Sequence, residues 1–145
     1  NIFLKYNLSI MLFNLLPIIP LDGSIILKSI LNKFFSFKTS YKLYIIISII
    51  SIILYTLLNY KYSLNNYLIL GIFLYKMYKQ VKDYKYIYNK FLLERYLKKY
   101  KFKYISTKKG NLDILKIDTY QYFKESGKIV SEAKKLQERF DKTSI

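Results

Sequence analysis

Asn14-Leu15-Leu16-Pro17-Ile18-Ile19-Pro20-Leu21-Asp22-Gly23 breaks an apolar run, and its reading decides the fold. Proline removes a backbone donor, and glycine accepts positive φ, so a helix entering this stretch must stop and restart. A carboxylate at membrane depth costs about 2.5–3.5 kcal/mol or more unless it is paired or metal-bound. Irregular backbone at that depth is tolerated where it lines an enclosed or watery cavity. The stretch therefore predicts a polar site inside an apolar segment, with Asp22 facing it. A carboxylate oxygen is a good zinc ligand, at about 2.0–2.2 Å.

Outward from this stretch, three apolar segments are expected to cross a membrane: residues 6–31, 43–60 and 64–78. The second lies between Lys42 and Lys61 without a charge. At about 1.5 Å per residue it spans roughly 27 Å, close to a bilayer core. In the third, Lys76 and Lys79 can snorkel to the interface. A short loop over residues 61–66 predicts an antiparallel hairpin of the second and third segments. Lys28, Lys33, Lys38 and Lys42 lie between the first two segments, the hairpin loop carries Lys61, and the chain after Lys76 is Lys-rich. The positive-inside rule puts residues 28–42 and the C-terminus in the cytoplasm.

The expected fold is an α-helical polytopic membrane protein, multi-pass in the cell membrane, with a small cytoplasmic α/β C-terminal domain. Residues 1–80 form the transmembrane region, 81–101 a basic amphipathic juxtamembrane helix, and 102–145 the small domain. In the helix, Tyr84, Tyr88, Phe91, Leu92 and Tyr96 recur at helical spacing among lysines. Residues 102–106 and 112–117 read as strands about the turn Lys108-Lys109-Gly110-Asn111, and 120–124 as a third strand before a turn at Ser126-Gly127. Ser131 can cap a closing helix, with Glu132 complementing its dipole and Ala133, Leu136 and Phe140 as its buried stripe. Glu94 and Arg95 look isolated.

Composition bounds the chemistry. The chain has 145 residues, a net charge of +16, 52% hydrophobic residues and neither Cys nor His. Disulfides, a cysteine nucleophile and Ser-His catalysis are excluded, as is a complete His-based metal site within this chain. High apolar content beside high charge suggests some stretches in lipid and others in water. The chain starts with Asn rather than Met, so a preceding portion is expected.

The decapeptide resembles the second metal-site motif of the site-2 protease family of intramembrane zinc metalloproteases. That motif has the form Asn-x-x-Pro-x-x-Pro-x-Asp-Gly and is matched by Asn14, Pro17, Pro20, Leu21, Asp22 and Gly23. The likeness is closest to the sporulation branch, which processes a sigma-factor precursor. The resemblance implies zinc as cofactor, Asp22 as a metal ligand and Asn14 as a residue positioning substrate or oxyanion. Pro17, Pro20, Leu21 and Gly23 shape the segment. The family's HExxH helix is absent from this sequence, and Ser24 replaces a second Gly; Ser24 reads as a helix N-cap rather than a nucleophile.

The expected function is therefore the C-terminal part of a metalloendopeptidase acting on membrane-associated protein substrates. This fragment alone would be inactive, its partners being membrane lipid, substrate and the missing N-terminal half. The rival is a non-catalytic polytopic protein, transporter-like or an inactive homologue, using Asp22 for a cation or proton. The lysines after Lys76 favour anionic lipid over nucleic acid, at about 1 kcal/mol per basic residue near the surface.

Overall fold

The structure is a computed structural model that describes residues 2–58, 64–97, 101–125 and 127–141. The elements in chain order are α1 (Ile2–Asn14), α2 (Asp22–Phe34), α3 (Phe37–Leu58), α4 (Leu64–Lys82), α5 (Tyr84–Tyr96), β1 (Tyr104–Lys108), a 3-10 helix (Leu112–Ile114), β2 (Thr119–Glu125), β3 (Lys128–Ser131) and α6 (Glu132–Asp141). They fall into two compact units. One comprises Asn1–Leu31 and Tyr41–Asp83, the other Asn32–Ser40 and Tyr84–Ile145.

In the first unit, Ile18, Ile52 and Phe73 form a buried cluster that Phe13, Leu16, Tyr55 and Ile69 pack against. Ile19, Leu31 and Tyr44 form another. The Tyr41 hydroxyl, near the start of α3, donates to the Gln80 carbonyl, near the end of α4, at 2.8 Å. Further along, Tyr55 meets Phe73 edge to face at 6.1 Å. These contacts run antiparallel, as the hairpin reading expects. The tip of that hairpin, residues 59–63, lies outside the described residues.

A polytopic fold with about three membrane spans is not what forms. Among the described residues only α3 is long and apolar enough to cross a membrane. The interruption after Asn14 splits the first apolar segment into two helices of 13 residues each. Such helices reach about 20 Å, against a hydrocarbon core of about 30 Å. Helix α4 has 19 residues but starts with Asn65 and Asn66 and ends with Lys76, Lys79 and Lys82. Its polar ends dilute the apolar middle. Multi-pass localisation thus loses its support, while the single helix α3 remains compatible with membrane association. Ile46, Ile50, Ile53, Leu54, Leu57 and Leu58 on α3 are exposed, unlike the core helix of a water-soluble protein.

The second unit buries Phe37, Tyr88, Phe91, Leu92, Leu115, Phe123 and Leu136 in one core. The expected stripe on α5 is the face that packs, with Tyr84 and Tyr96 partly buried beside it. The sheet has the order β1-β2-β3. Strand β1 pairs parallel with β2, and β2 antiparallel with β3. Residues 120–124 are a strand as expected, but Leu112–Ile117 does not pair with β1. Leu112 and Leu115, three apart, suit a 3-10 turn, which places Leu115 in the core. The carbonyls a hairpin would need are used elsewhere. That of Ile114 accepts from Gln121 Nε2 at 3.1 Å, and that of Leu115 from the Phe37 amide at 2.9 Å. Arg95 takes those of Lys116 and Ile117 at 2.8 and 3.3 Å.

Arg95, expected to be isolated, instead pairs with Glu132. Both are buried, and they face each other as a bidentate pair, Nε to Oε1 at 2.5 Å and Nη2 to Oε2 at 2.7 Å. Nη2 also donates to the Thr119 carbonyl at 2.9 Å, and the Gln121 amide donates to Glu132 Oε2 at 3.1 Å. Glu132 thus does more than complement the α6 dipole, and Ala133 is exposed in its place. Ser131 does cap α6, accepting from the Lys134 amide at 3.4 Å. Gly127, with φ +82°, turns the chain from β2 to β3; Ser126 lies outside the described residues.

At the surface, Lys38 bonds Asp113, which also accepts from the Tyr88 hydroxyl at 2.9 Å. The hydrogen bond from Lys38 leads in holding the Asp113 carboxyl below the usual carboxylate range. Its contribution to stability is present above that range and fades as pH falls through the depressed value.

Arg95→Met, which strands the Glu132 carboxylate, should destabilise the chain by about 3–5 kcal/mol. Arg95→Met with Glu132→Leu should recover most of that loss. Chemical denaturation followed by tyrosine fluorescence checks both. An unchanged midpoint for the single variant would show that the pair does not constrain the fold.

Candidate functional site: the connection between α1 and α2

The connection from Leu15 to Leu21 runs between two helix ends. Asn14, half-buried, closes α1, and Asp22, exposed, opens α2. The amides of Leu15 and Leu16 still bond back into the last turn of α1, the first at 3.1 Å to the Met11 carbonyl. Pro17 stops that pattern because it has no N–H. Two tight turns follow, with the Ile18 amide on the Leu16 carbonyl at 2.8 Å and the Leu21 amide on the Ile18 carbonyl at 2.6 Å. Between them Ile18 and Ile19 point into the two buried clusters of the unit. The connection is irregular in backbone but anchored by its side chains.

Three further contacts fix it. The Ser24 amide and hydroxyl both donate to the Leu21 carbonyl, at 3.0 and 2.8 Å. Ser24 is therefore buried inside the first turn of α2 rather than at its N-cap. Ser48, fully buried on α3, donates its hydroxyl to the Pro17 carbonyl at 3.1 Å. Gly23 is helical rather than positive in φ, and its role is space. A β-carbon there would lie 2.0 Å from the Leu15 carbonyl oxygen and 2.6 Å from that of Leu16. Only glycine lets the start of α2 approach the end of α1 so closely.

The result is an acidic residue on a fixed backbone, with its side chain exposed. Asp22 sits in the first turn of α2, where a negative charge complements the helix dipole by about 0.3–1 kcal/mol. Among the described residues no group of three His, Cys, Asp or Glu could hold a metal ion. A zinc ion requires three or four ligands, so Asp22 by itself does not fit a whole site. It does fit one ligand position, being an exposed carboxylate on a locked backbone. Beside the connection lies an apolar cleft of about 470 Å3, with Phe13, Leu16, Pro17, Leu54, Tyr55 and Leu58 in its walls.

Of the residues singled out by the motif, Pro17 is half-buried, Pro20 exposed and Leu21 half-buried, and all belong to this one connection. Among the described residues no hydrogen bond joins the Asn14 and Asp22 side chains. Ser48 was missed by sequence reasoning. Its signal was available: it is a small polar residue within the most apolar helix, where a hydroxyl must find a carbonyl. No known protein family matches the chain, and no curated protein matches it.

Gly23→Ala should destabilise the first unit by about 1–3 kcal/mol, because backbone atoms must move to admit the methyl group. Gly71→Ala, in the middle of α4 with open space around it, should be neutral or stabilise by about 0.5–1 kcal/mol. Thermal unfolding of the two variants in one detergent checks the contrast. Equal tolerance would mean that the close approach at Gly23 is not required.

Proposed function

We propose that this chain is the C-terminal part of a membrane-associated zinc metalloprotease of the site-2 protease type, with Asp22 as one metal ligand. The observation that carries the reading is the setting of Asp22. An exposed carboxylate stands at the start of a helix, on a connection that breaks two apolar helices and is locked by Ile18, Ile19, Gly23 and Ser48. Of the residues around it, Pro17 and Gly23 are motif positions, whereas Ile18, Ile19 and Ser48 are not. Zinc, when bound, lowers the pKa of its water to about 7 and polarises a carbonyl.

This chain's own residues position. Gly23 brings α2 against the end of α1, so the Asp22 carboxylate projects from a rigid turn. Asn14, at the other end of the connection, carries an amide that can donate to a carbonyl oxygen or accept from a peptide N–H. The remaining ligands and the base come from residues outside this sequence, which contains no His. No side chain of helix α1 is fully buried, and Phe3, Leu4, Leu8 and Ile10 are exposed and apolar. Such a surface calls for cover by lipid or by further protein. The Lys-rich second unit lies on the cytoplasmic side in this reading, and the substrate is a membrane-associated protein.

The test uses the longer protein that contains this sequence. Asp22→Ala should lower zinc content several-fold and abolish proteolysis. Asn14→Ala should retain zinc and slow turnover by about 10²–10³ if its amide stabilises an oxyanion. Full zinc content and activity in Asp22→Ala would overturn the ligand assignment. Cation or proton binding at Asp22 without peptidase activity would favour the non-catalytic reading.

A further inference from the structure

In the second unit, Lys33, Lys103 and Lys116 line one pocket of about 410 Å3, together with Asn32, Tyr104 and Asp118. Three lysines and one aspartate thus line it. Among the described residues the lysines in salt bridges are Lys38 and Lys135, not these three. Lys116 is held in place because its Nζ donates to the Phe34 carbonyl at 2.7 Å. Lys103 is held through its backbone, since its amide and that of Tyr104 both donate to the Asp118 carbonyl, at 2.9 and 3.2 Å. The carbonyls ending α2 carry about half a negative charge, which offsets part of one lysine. With Asp118 counted, a surplus of about one to two positive charges remains.

A surplus of cations in a concave site selects an anion, and neutral donors on Asn32 and Tyr104 can add hydrogen bonds to it. Ammonium groups act as point charges for phosphate oxygens. The pocket also stands close in sequence to the membrane-compatible helix, because α3 starts at Phe37, just after the Phe34 carbonyl that Lys116 grips. We propose that this pocket binds a phosphate group, carried by an anionic lipid headgroup or by a soluble phosphate ester. The inference stands independently of the protease reading.

The test places the full chain in phosphatidylcholine nanodiscs. One arm adds a small fraction of phosphatidylglycerol and measures retained lipid by native mass spectrometry. The other titrates glycerol 3-phosphate and inorganic phosphate into lipid-neutral discs by calorimetry. Saturable binding is expected in at least one arm; lipid alone identifies a headgroup site, and soluble phosphate a free ester. Lys103→Gln and Lys116→Gln should each weaken it about fivefold, while Lys85→Gln and Lys90→Gln, exposed on α5, leave it within twofold. Lys103 is exposed, so its substitution does not disturb the core. No saturable binding in either arm, or equal losses in the α5 controls, would overturn the proposal.

Discussion

The guanidinium of Arg95 is the constraint on which the second unit depends. Its donors reach Glu132 at the start of α6, the carbonyls of Lys116 and Ile117, and the carbonyl of Thr119 at the start of β2. One side chain thus ties α5 to α6 and to the chain between β1 and β2. A buried charge is tolerated only with full pairing, and here every N–H of the guanidinium has a partner. Arg95 also holds the Lys116 and Ile117 carbonyls, while Leu115 of the same run enters the core and β1 meets β2 in parallel.

The first unit depends on close approach rather than on charge. Gly23 sits against the carbonyls of Leu15 and Leu16, and Ser48 holds the Pro17 carbonyl from α3. Buried Ile18 and Ile19 anchor a segment that would otherwise be a loop. In the proposed function this rigidity serves the ligand role of Asp22, because a metal site requires its donors within about 0.5 Å of the productive geometry. Much apolar surface on α1 and α3 remains exposed around it.

Local features were legible in the sequence: the helix break at Pro17, the apolar helix around residues 43–60, the α5 stripe, the strand at 120–124 and the cap at Ser131. Each rests on neighbours a few residues apart. The number of membrane spans was misread because apolar content was summed across a break in the first segment and across the polar ends of α4. The hairpin was misread for another reason. Leu112–Ile117 has strand-like composition, and nothing local reveals that its carbonyls go to Phe37, Arg95 and Gln121. The Arg95–Glu132 pair was invisible for the same cause, since its members stand 37 positions apart. At Gly23 the residue was identified but not its role, which is steric and appears only once Leu15 is in place.

In the proposed function the Asp22 carboxylate touches zinc. X-ray absorption at the zinc edge of this sequence joined to the half that the reading requires for the other ligands, with and without Asp22→Cys, tests that contact directly. A thiolate ligand places sulfur about 2.3 Å from zinc, distinct from oxygen at about 2.0–2.2 Å. The account predicts a sulfur shell that appears only in the substituted protein. The same zinc content with an unchanged shell would contradict it.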